Sequence, residues 1–414
     1  MSGQAPRPCE AEILSSIDET QVVDLTAALV REASENPPGG EAACAEALAR
    51  ACRGHGLDVE TRPVAPDRPN VVARLTGGDG QGMLFLGHLD TVPVGEGWTG
   101  PPFEIRRRGG RLVGRGVADT KGGLAAVVAA LAALNRHGVE LSGPAVLAAV
   151  VDEEDRSIGA RQLSVELAGP HCPGAVLEQG CLAAVVTEPT GLETVVAARG
   201  DCYLDVEVEG RAAHSGNPSA GANAIYGAMS VVAAVQALHA SAVYRPHPLL
   251  GPATWSVGQV RGGTGTSVVP ASCQLAIDRR LLPGETAAKA CAQLETAIAR
   301  VGLPEGVTAR VRVIMEMPGF ETPADDPLVE VARAASVDAG AGDRPPAGWS
   351  AACDGGFLAQ HHGIPTVVLG PGSITYDAHQ ADESVAVDDL VVAARIYALI
   401  ALRLLGTEFS LNTT

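Results

Sequence analysis

The chain has 414 residues, with 48 acidic residues against 30 Lys and Arg and a formal net charge of −18. That length allows two or three domains, and a composition of 46% hydrophobic and 19% charged residues excludes intrinsic disorder. The acidic surplus disfavours nucleic acids and anionic membranes as partners, because both require basic patches.

Aromatic residues are only 3%, so the core must be built from Ala, Val and Leu, and stacking platforms for bases or sugars are not expected. The apolar runs Leu124–Leu134 and Gly143–Val151 fall short of the roughly 20 residues that cross a bilayer. Met1–Glu12 lacks the apolar core of a signal peptide. The nine cysteines (Cys9, Cys44, Cys52, Cys172, Cys181, Cys202, Cys273, Cys291 and Cys353) are odd in number and form no C-x-x-C pair. They argue against a disulfide framework or a thiolate zinc site, and they are expected as small buried hydrophobes of a soluble cytoplasmic protein.

In chain order, Met83–Leu86 reads as a buried strand ending in Gly87-His88, and Thr120–Leu134 as a helix packed between layers. Ala145–Val151 is an apolar strand stopping at Asp152-Glu153-Glu154-Asp155, and Ala183–Thr187 is another, stopping at Glu188-Pro189. Tyr203–Glu209 alternates apolar and acidic residues, the period of a half-exposed strand. Asn223–Leu238 reads as a helix, Cys273–Asp278 as a strand and Ala287–Val301 as a second helix. Thr366–Leu369 is a further buried strand, stopping at Gly370-Pro371-Gly372. Doubly buried strands alternating with helices predict an α/β fold with a mostly parallel central sheet. The middle, with its β-α-β-β-α-β order, predicts a small α+β insert over 198–317, dividing the main domain into 1–197 and 318–414.

The acids and histidines fall at strand ends. His88, the Asp152-Glu153-Glu154 run, Glu188 and His379 each follow an apolar strand, and Asp119 sits just before the Thr120 helix. Ligands of open α/β sheets bind outside the carboxyl ends of the strands, so these positions are expected to converge. Two His and three carboxylates without thiolate suit a pair of divalent metals sharing one carboxylate. A lone buried His or an acidic loop has bland readings, but these residues all terminate apolar strands. Asp90, two residues after His88, is placed to accept the imidazole's other N–H. Three glycine-rich or serine segments are decoys. Gly77–Gly82 precedes a strand, Gly262–Ser267 lacks a lysine, and Gly348–Ala352 lacks the glycine of a nucleophile elbow.

With these pieces in place the chain resembles the M20 metallopeptidase/amidohydrolase family, which includes acetylornithine deacetylase, succinyl-diaminopimelate desuccinylase, aminoacylase and glutamate carboxypeptidase. The matching motifs are Leu86-Gly87-His88-Leu89-Asp90-Thr91-Val92-Pro93, Gly114–Gly123, Asp152-Glu153-Glu154, Glu188-Pro189-Thr190 and Ala378-His379, with Asn36–Glu41 also familial. They run in family order from about residue 20 to the C-terminus.

The resemblance implies a zinc-peptidase-like catalytic domain and a ferredoxin-like lid that makes a homodimer. It implies two divalent ions, Zn2+ with Co2+ or Mn2+ as alternatives. His88, Asp119 and Glu188 would hold one, and Asp119, Glu154 and His379 the other. It makes Glu153 the general base and Asp90 the orienter of His88, and it expects a cis peptide at Asp119–Thr120. The lid segments Gly210–Pro218 and Asp278–Gly284 imply His214 as oxyanion stabiliser and Arg280 as carboxylate clamp, with Asn223 assisting. Gly372 is expected to line the pocket, with Asp354 and Glu383 as weaker candidates. Ser267 departs from the asparagine often found before Val-Val-Pro. The expected activity is cleavage of the amide of an N-acyl amino acid. The alternatives are a dipeptidase or carboxypeptidase, or a catalytically silent protein that binds an amino-acid derivative.

Overall fold

The computed structural model describes residues 8–167 and 174–407, which leaves Cys172 outside the described residues. The chain divides into two compact units. One comprises Met1–Val196, Glu321–Ala347 and Phe357–Thr414; the other comprises Ala197–Phe320 and Gly348–Gly356.

In the first unit, α1 (Glu19–Arg31) and α2 (Ala42–Gly54) precede a hairpin of β1 (Asp58–Ala65) and β2 (Arg68–Leu75). Then come β3 (Gly82–His88), α3 (Lys121–Arg136), β4 (Ala145–Val150) and β5 (Cys181–Val186). The second unit contributes β6 (Gly200–Glu209), α4 (Ala224–Ala242), β7 (Thr254–Gly262), β8 (Ser272–Leu281), α5 (Ala287–Val301) and β9 (Thr308–Met317). The first unit resumes with α6 (Pro327–Ala339), β10 (Thr366–Val368) and α7 (Val387–Leu405).

Within a nine-stranded central sheet, six strands run β1-β2-β4-β3-β5-β10, with β3 parallel to both β4 and β5 and β10 parallel to β5. The hairpin strands join antiparallel at one edge, through β2 against β4. Every residue of β3 and β4 is buried, as expected of parallel strands covered on both faces. Helix α3 is buried from Lys121 to Leu134 and packs against α7. Its two glycines allow the close packing: a Cβ at Gly122 would lie 2.3 Å from the Val117 carbonyl oxygen and 2.7 Å from Leu390 Cδ2 of α7, and one at Gly123 would lie 2.7 Å from the carbonyl oxygen of Thr187, just beyond β5. Lys121 is a buried cation with a structural partner. Its ammonium donates to the carbonyls of Leu29 (3.1 Å) and Glu32 (2.8 Å), at the negative end of α1.

The second unit is a four-stranded antiparallel sheet in the order β7-β8-β6-β9, with α4 and α5 packed on it. Taken in chain order its strands stand 2-3-1-4, the ferredoxin-like arrangement. The alternation in β6 decides its faces. Leu204, Val206 and Val208 are buried in that unit's core, while Tyr203 is half-exposed on the other face. Asn223 caps α4, its Oδ1 accepting from the main-chain N–H of Ile225 (2.9 Å) and Tyr226 (3.3 Å).

Among the described residues α4 is the one helix long and apolar enough to cross a membrane by length and composition. One face of it is nonetheless core, through Ala224, Ala228, Val231, Ala234 and Val235. Seven of the cysteines are free thiols, and five of these, Cys44, Cys52, Cys202, Cys273 and Cys353, are buried.

Tyr397 of α7 is buried, packs its ring 5.4 Å from that of Phe85 and donates to the Leu369 carbonyl at 2.8 Å. Tyr397→Phe should therefore lower stability by ~1–3 kcal/mol, because it leaves that carbonyl unsatisfied while keeping the packing. Denaturant unfolding with an unchanged slope is the measurement.

Candidate metal centre

The parallel strands β3, β4, β5 and β10 point their carboxyl ends the same way, and the chain turns there into polar loops. His88 is the last residue of β3 and is buried. Its Nε2 lies 2.9 Å from Asp119 Oδ1 and 3.7 Å from Glu188 Oε1. His379, in the loop after β10, lies 3.0 Å from Asp119 Oδ2 and 3.4 Å from Glu154 Oε2 through its Nε2. Asp119 thus presents one oxygen to each imidazole. Ligand atoms of His88, Asp119 and Glu154 all fall within 4.8 Å of one another, a candidate metal group. The Asp119–Thr120 peptide is cis, and the Thr120 hydroxyl accepts from the His88 main-chain N–H at 3.1 Å.

The tautomer of His88 follows from its other nitrogen. Nδ1–H donates to the main-chain carbonyl of Asp90 at 2.9 Å, so Nε2 is the nitrogen that faces Asp119 and Glu188, carrying a proton between them until a cation displaces it. This differs from the expectation of a bond to the Asp90 carboxylate, whose Oδ1 stands at 3.6 Å, beyond hydrogen-bond length. The carboxylate does another job. It accepts from Asn36 Nδ2 (2.9 Å) and from the main-chain N–H groups of Glu153 (3.2 Å) and Glu154 (3.1 Å), so it holds the acidic loop in place. Its pKa is lowered despite burial, because His88, Asn36 and the Glu154 N–H favour the ionised form.

The run Asp152-Glu153-Glu154 splits by direction. Asp152 has φ +71° and turns to Asn36 Nδ2 (3.0 Å) and Arg68 Nη1 (2.8 Å), while Glu154 accepts from the Val92 N–H at 3.2 Å and faces His379. Arg68 also pairs with Glu41. Sequence reading passed over the bridging role of Asn36, although the Asn36–Glu41 motif was its signal. Glu383, a weaker candidate, is buried behind Asp119. It accepts from the N–H groups of Ala118 (2.9 Å) and Asp119 (3.2 Å) and pairs with Arg115 at 2.7 Å. Gly372 has φ +81°, and a Cβ there would lie 3.0 Å from that of Ala118, beside Asp119.

Charge is concentrated at this centre. Burial works against the ionised imidazole of His88, but Asp119 and Asp90 outweigh it and the pKa is raised well above the usual value. His379 is pushed up to about 10 by Asp119 and Glu154. Burial raises Glu154, whereas Asp119 is lowered against burial by the two imidazoles. In the absence of a cation the imidazoles hold protons between the carboxylates. Two His nitrogens facing buried carboxylates, with no thiolate, form a donor set that fits divalent ions such as zinc.

His214, Asn223 and Arg280 belong to the second unit, as does buried Asp354. His214 is exposed on a short strand paired with Val268, and its Nδ1 accepts from the Gly216 N–H at 3.0 Å. That bond puts the proton of the neutral ring on Nε2. Arg280 is not bare: its Nε and Nη2 meet Asp278 at 3.2 and 3.0 Å, and its Nη1 meets Asp201 at 3.2 Å.

A doubly covered parallel sheet with carboxylates and imidazoles gathered at its strand ends defines a metal-dependent amide hydrolase, and the comparisons agree. The sequence profile of peptidase family M20/M25/M40 matches residues 84–403, and the chain belongs to that family. It is 32% identical over 348 residues to acetylornithine deacetylase of Edwardsiella ictaluri, covering 81% of this chain and 84% of that protein. The crystal structure of aminopeptidase PepT from Bacillus cereus matches with a TM-score of 0.72 and 25% identity, over 93% of this chain and 99% of that one. A Bacillus subtilis protein described as a dinuclear metal binding peptidase from the M20 family matches with a TM-score of 0.69 and 17% identity, over 94% and 98%.

Removing the brace of the acidic loop should loosen the centre. Asp90→Ala is expected to weaken divalent-metal binding ~10–100-fold, read by equilibrium dialysis against zinc.

Proposed function

We propose that the chain is a two-metal hydrolase that cleaves the amide bond of an N-acyl amino acid. The observation that carries this reading is the sharing of Asp119 between His88 and His379, with Glu154 and Glu188 alongside. His88, Asp119 and Glu188 would hold one ion, and Asp119, Glu154 and His379 the other. Bound there, divalent ions, zinc in the first instance, would polarise the scissile carbonyl and acidify water.

Glu153 is the base. Its main-chain N–H is fixed by Asp90, one residue from Glu154, and its carboxylate takes the proton of the attacking water and delivers it to the leaving amine. The Nε2–H of His214 donates to the oxyanion that develops on the carbonyl oxygen. Arg280 engages the substrate carboxylate, Asn223 supports that end through the start of α4, and the backbone around Gly372 lines the pocket. The acetylornithine deacetylase relative supports an acetylated amino acid as substrate. The similarity to aminopeptidase PepT favours, as a second reading, a short peptide cleaved by the same groups.

The lid is proposed to make a homodimer. Strand β7 is an edge strand with Val260 exposed, and α4 exposes Tyr226 and Met229.

Glu153→Gln should reduce kcat ~10²–10⁴-fold with metal content unchanged by elemental analysis. Unaltered turnover would refute the mechanism. An assay panel of N-acetyl and N-succinyl amino acids and dipeptides, with zinc, cobalt or manganese, separates the two substrate readings. Mixing inactive His214→Ala with inactive Glu153→Gln under subunit exchange should restore activity if His214 serves the partner's site. No restoration would assign that histidine to its own chain.

A further inference from the structure

Arg280 lies on the face of the second unit's sheet opposite its hydrophobic core, and the register of that sheet decides its surroundings. Arg280 stands opposite Asp201 across β8 and β6, and Asp278 stands opposite Tyr203, so all four share one face. The same face receives Thr254 and Ser256 from β7, and Met315 and Met317 from β9, none of which is charged. Arg199, just before β6, donates to the carbonyls of Leu250 and Pro252 and stands near enough to Arg280 for their charges to repel.

A guanidinium offers a carboxylate two bidentate edges, the side edge through Nε and one Nη, and the end edge through both Nη atoms. Asp278 occupies the side edge of Arg280, with both of its oxygens engaged. That grip orients the fork. Asp201 takes only one position on the end edge, Oδ2 against Nη1 at 3.2 Å. Its other oxygen, Oδ1, is buried with no hydrogen-bond partner among the described residues, and the residue is 4% exposed. The end edge is the edge that an incoming carboxylate would need. We propose that Asp201 is a positioning residue that competes with the substrate carboxylate for Arg280, so that the anchor is fully available only when Asp201 is protonated.

The inference rests on Arg280 being the carboxylate anchor and adds to that reading its regulation. Burial, opposed by Arg280 and reinforced by Asp278, lifts Asp201 to about 6. Above that pH the cluster of Arg199, Arg280, Asp201 and Asp278 carries no net charge. Below it the cluster carries one positive charge facing the ligand. Tyr203, pushed up to about 12 by burial and by Asp201, stays neutral throughout. Substrate affinity through the carboxylate should therefore strengthen as pH falls through about 6.

The test uses the metal-loaded full chain with N-acetyl-L-ornithine and, as control, its carboxamide, which lacks the anion. For the acid, KM should fall about tenfold from pH 8 to pH 5.5, and KM for the carboxamide should not follow. Asp201→Asn should give the low KM at every pH, with the effect on KM rather than kcat, and Asp201→Ser should agree if the amide disturbs the strand. A KM that keeps its pH slope in both variants, or that rises in them, overturns the inference. Arg280→Gln separates the two readings, because it should raise KM for the acid alone. If it does so while the Asp201 variants behave as wild type, the anchor stands and the competition falls. If it affects neither ligand, the anchor itself fails and the inference fails with it.

Discussion

The structure depends on carboxylates held out of water beside two imidazoles at the ends of four parallel strands. Burial penalises each charge, so each acid must be answered by a hydrogen bond or an opposite charge. The chain answers the outer ones from its own side chains. Arg68 serves Asp152 and Glu41, Arg115 serves Glu383, and Asn36 ties Asp90 to Asp152. At the centre, Asp119 and Glu154 face imidazoles. An imidazole can yield its proton to make way for a metal, whereas arginine cannot. The division between arginine outside and histidine inside is what makes a cation-binding centre out of a buried acidic cluster.

The supporting shell explains why loops can be trusted with chemistry. Glu153 and Glu154 sit just beyond β4, yet both main-chain N–H groups are pinned by one carboxylate two residues past β3. The neighbouring strands β3 and β4 are thereby linked at the point where a base and a ligand must be placed side by side. Below this layer, the glycines of α3 let the helix close on the strand ends, and buried Lys121 ties the helix start to the end of α1. A motif that reads as catalytic is therefore partly a packing device.

The second unit follows a different electrostatic rule. Its arginine is held by two acids, one bidentate and one buried with an unsatisfied oxygen, on the half-buried face of its sheet. The −18 net charge adds a general repulsion for anionic ligands, which salt screens over a Debye length of ~8 Å. Local competition at Arg280 acts inside that length and is screened less.

The sequence by itself determined the element types and the inventory of chemistry. Continuous apolar runs at Met83–Leu86 and Ala145–Val151 marked doubly buried strands, and the alternation of Tyr203–Glu209 marked a one-sided one, because side-chain period reports burial directly. Polar residues directly after those runs marked where a site would lie. The edge hairpin β1–β2 and helices α1, α2, α6 and α7 carried weaker patterns and were not singled out. Only the tertiary structure decided which atom meets which. Asp90 gives His88 its carbonyl rather than its carboxylate, Asp152 turns away from Glu154, and Asp201 reaches Arg280 from 79 residues upstream. Nor did any sequence signal mark Gly348–Gly356 as part of the second unit. The reason is physical: hydrogen bonds are decided over tenths of an ångström between residues far apart in the chain, and periodicity carries no information at that scale.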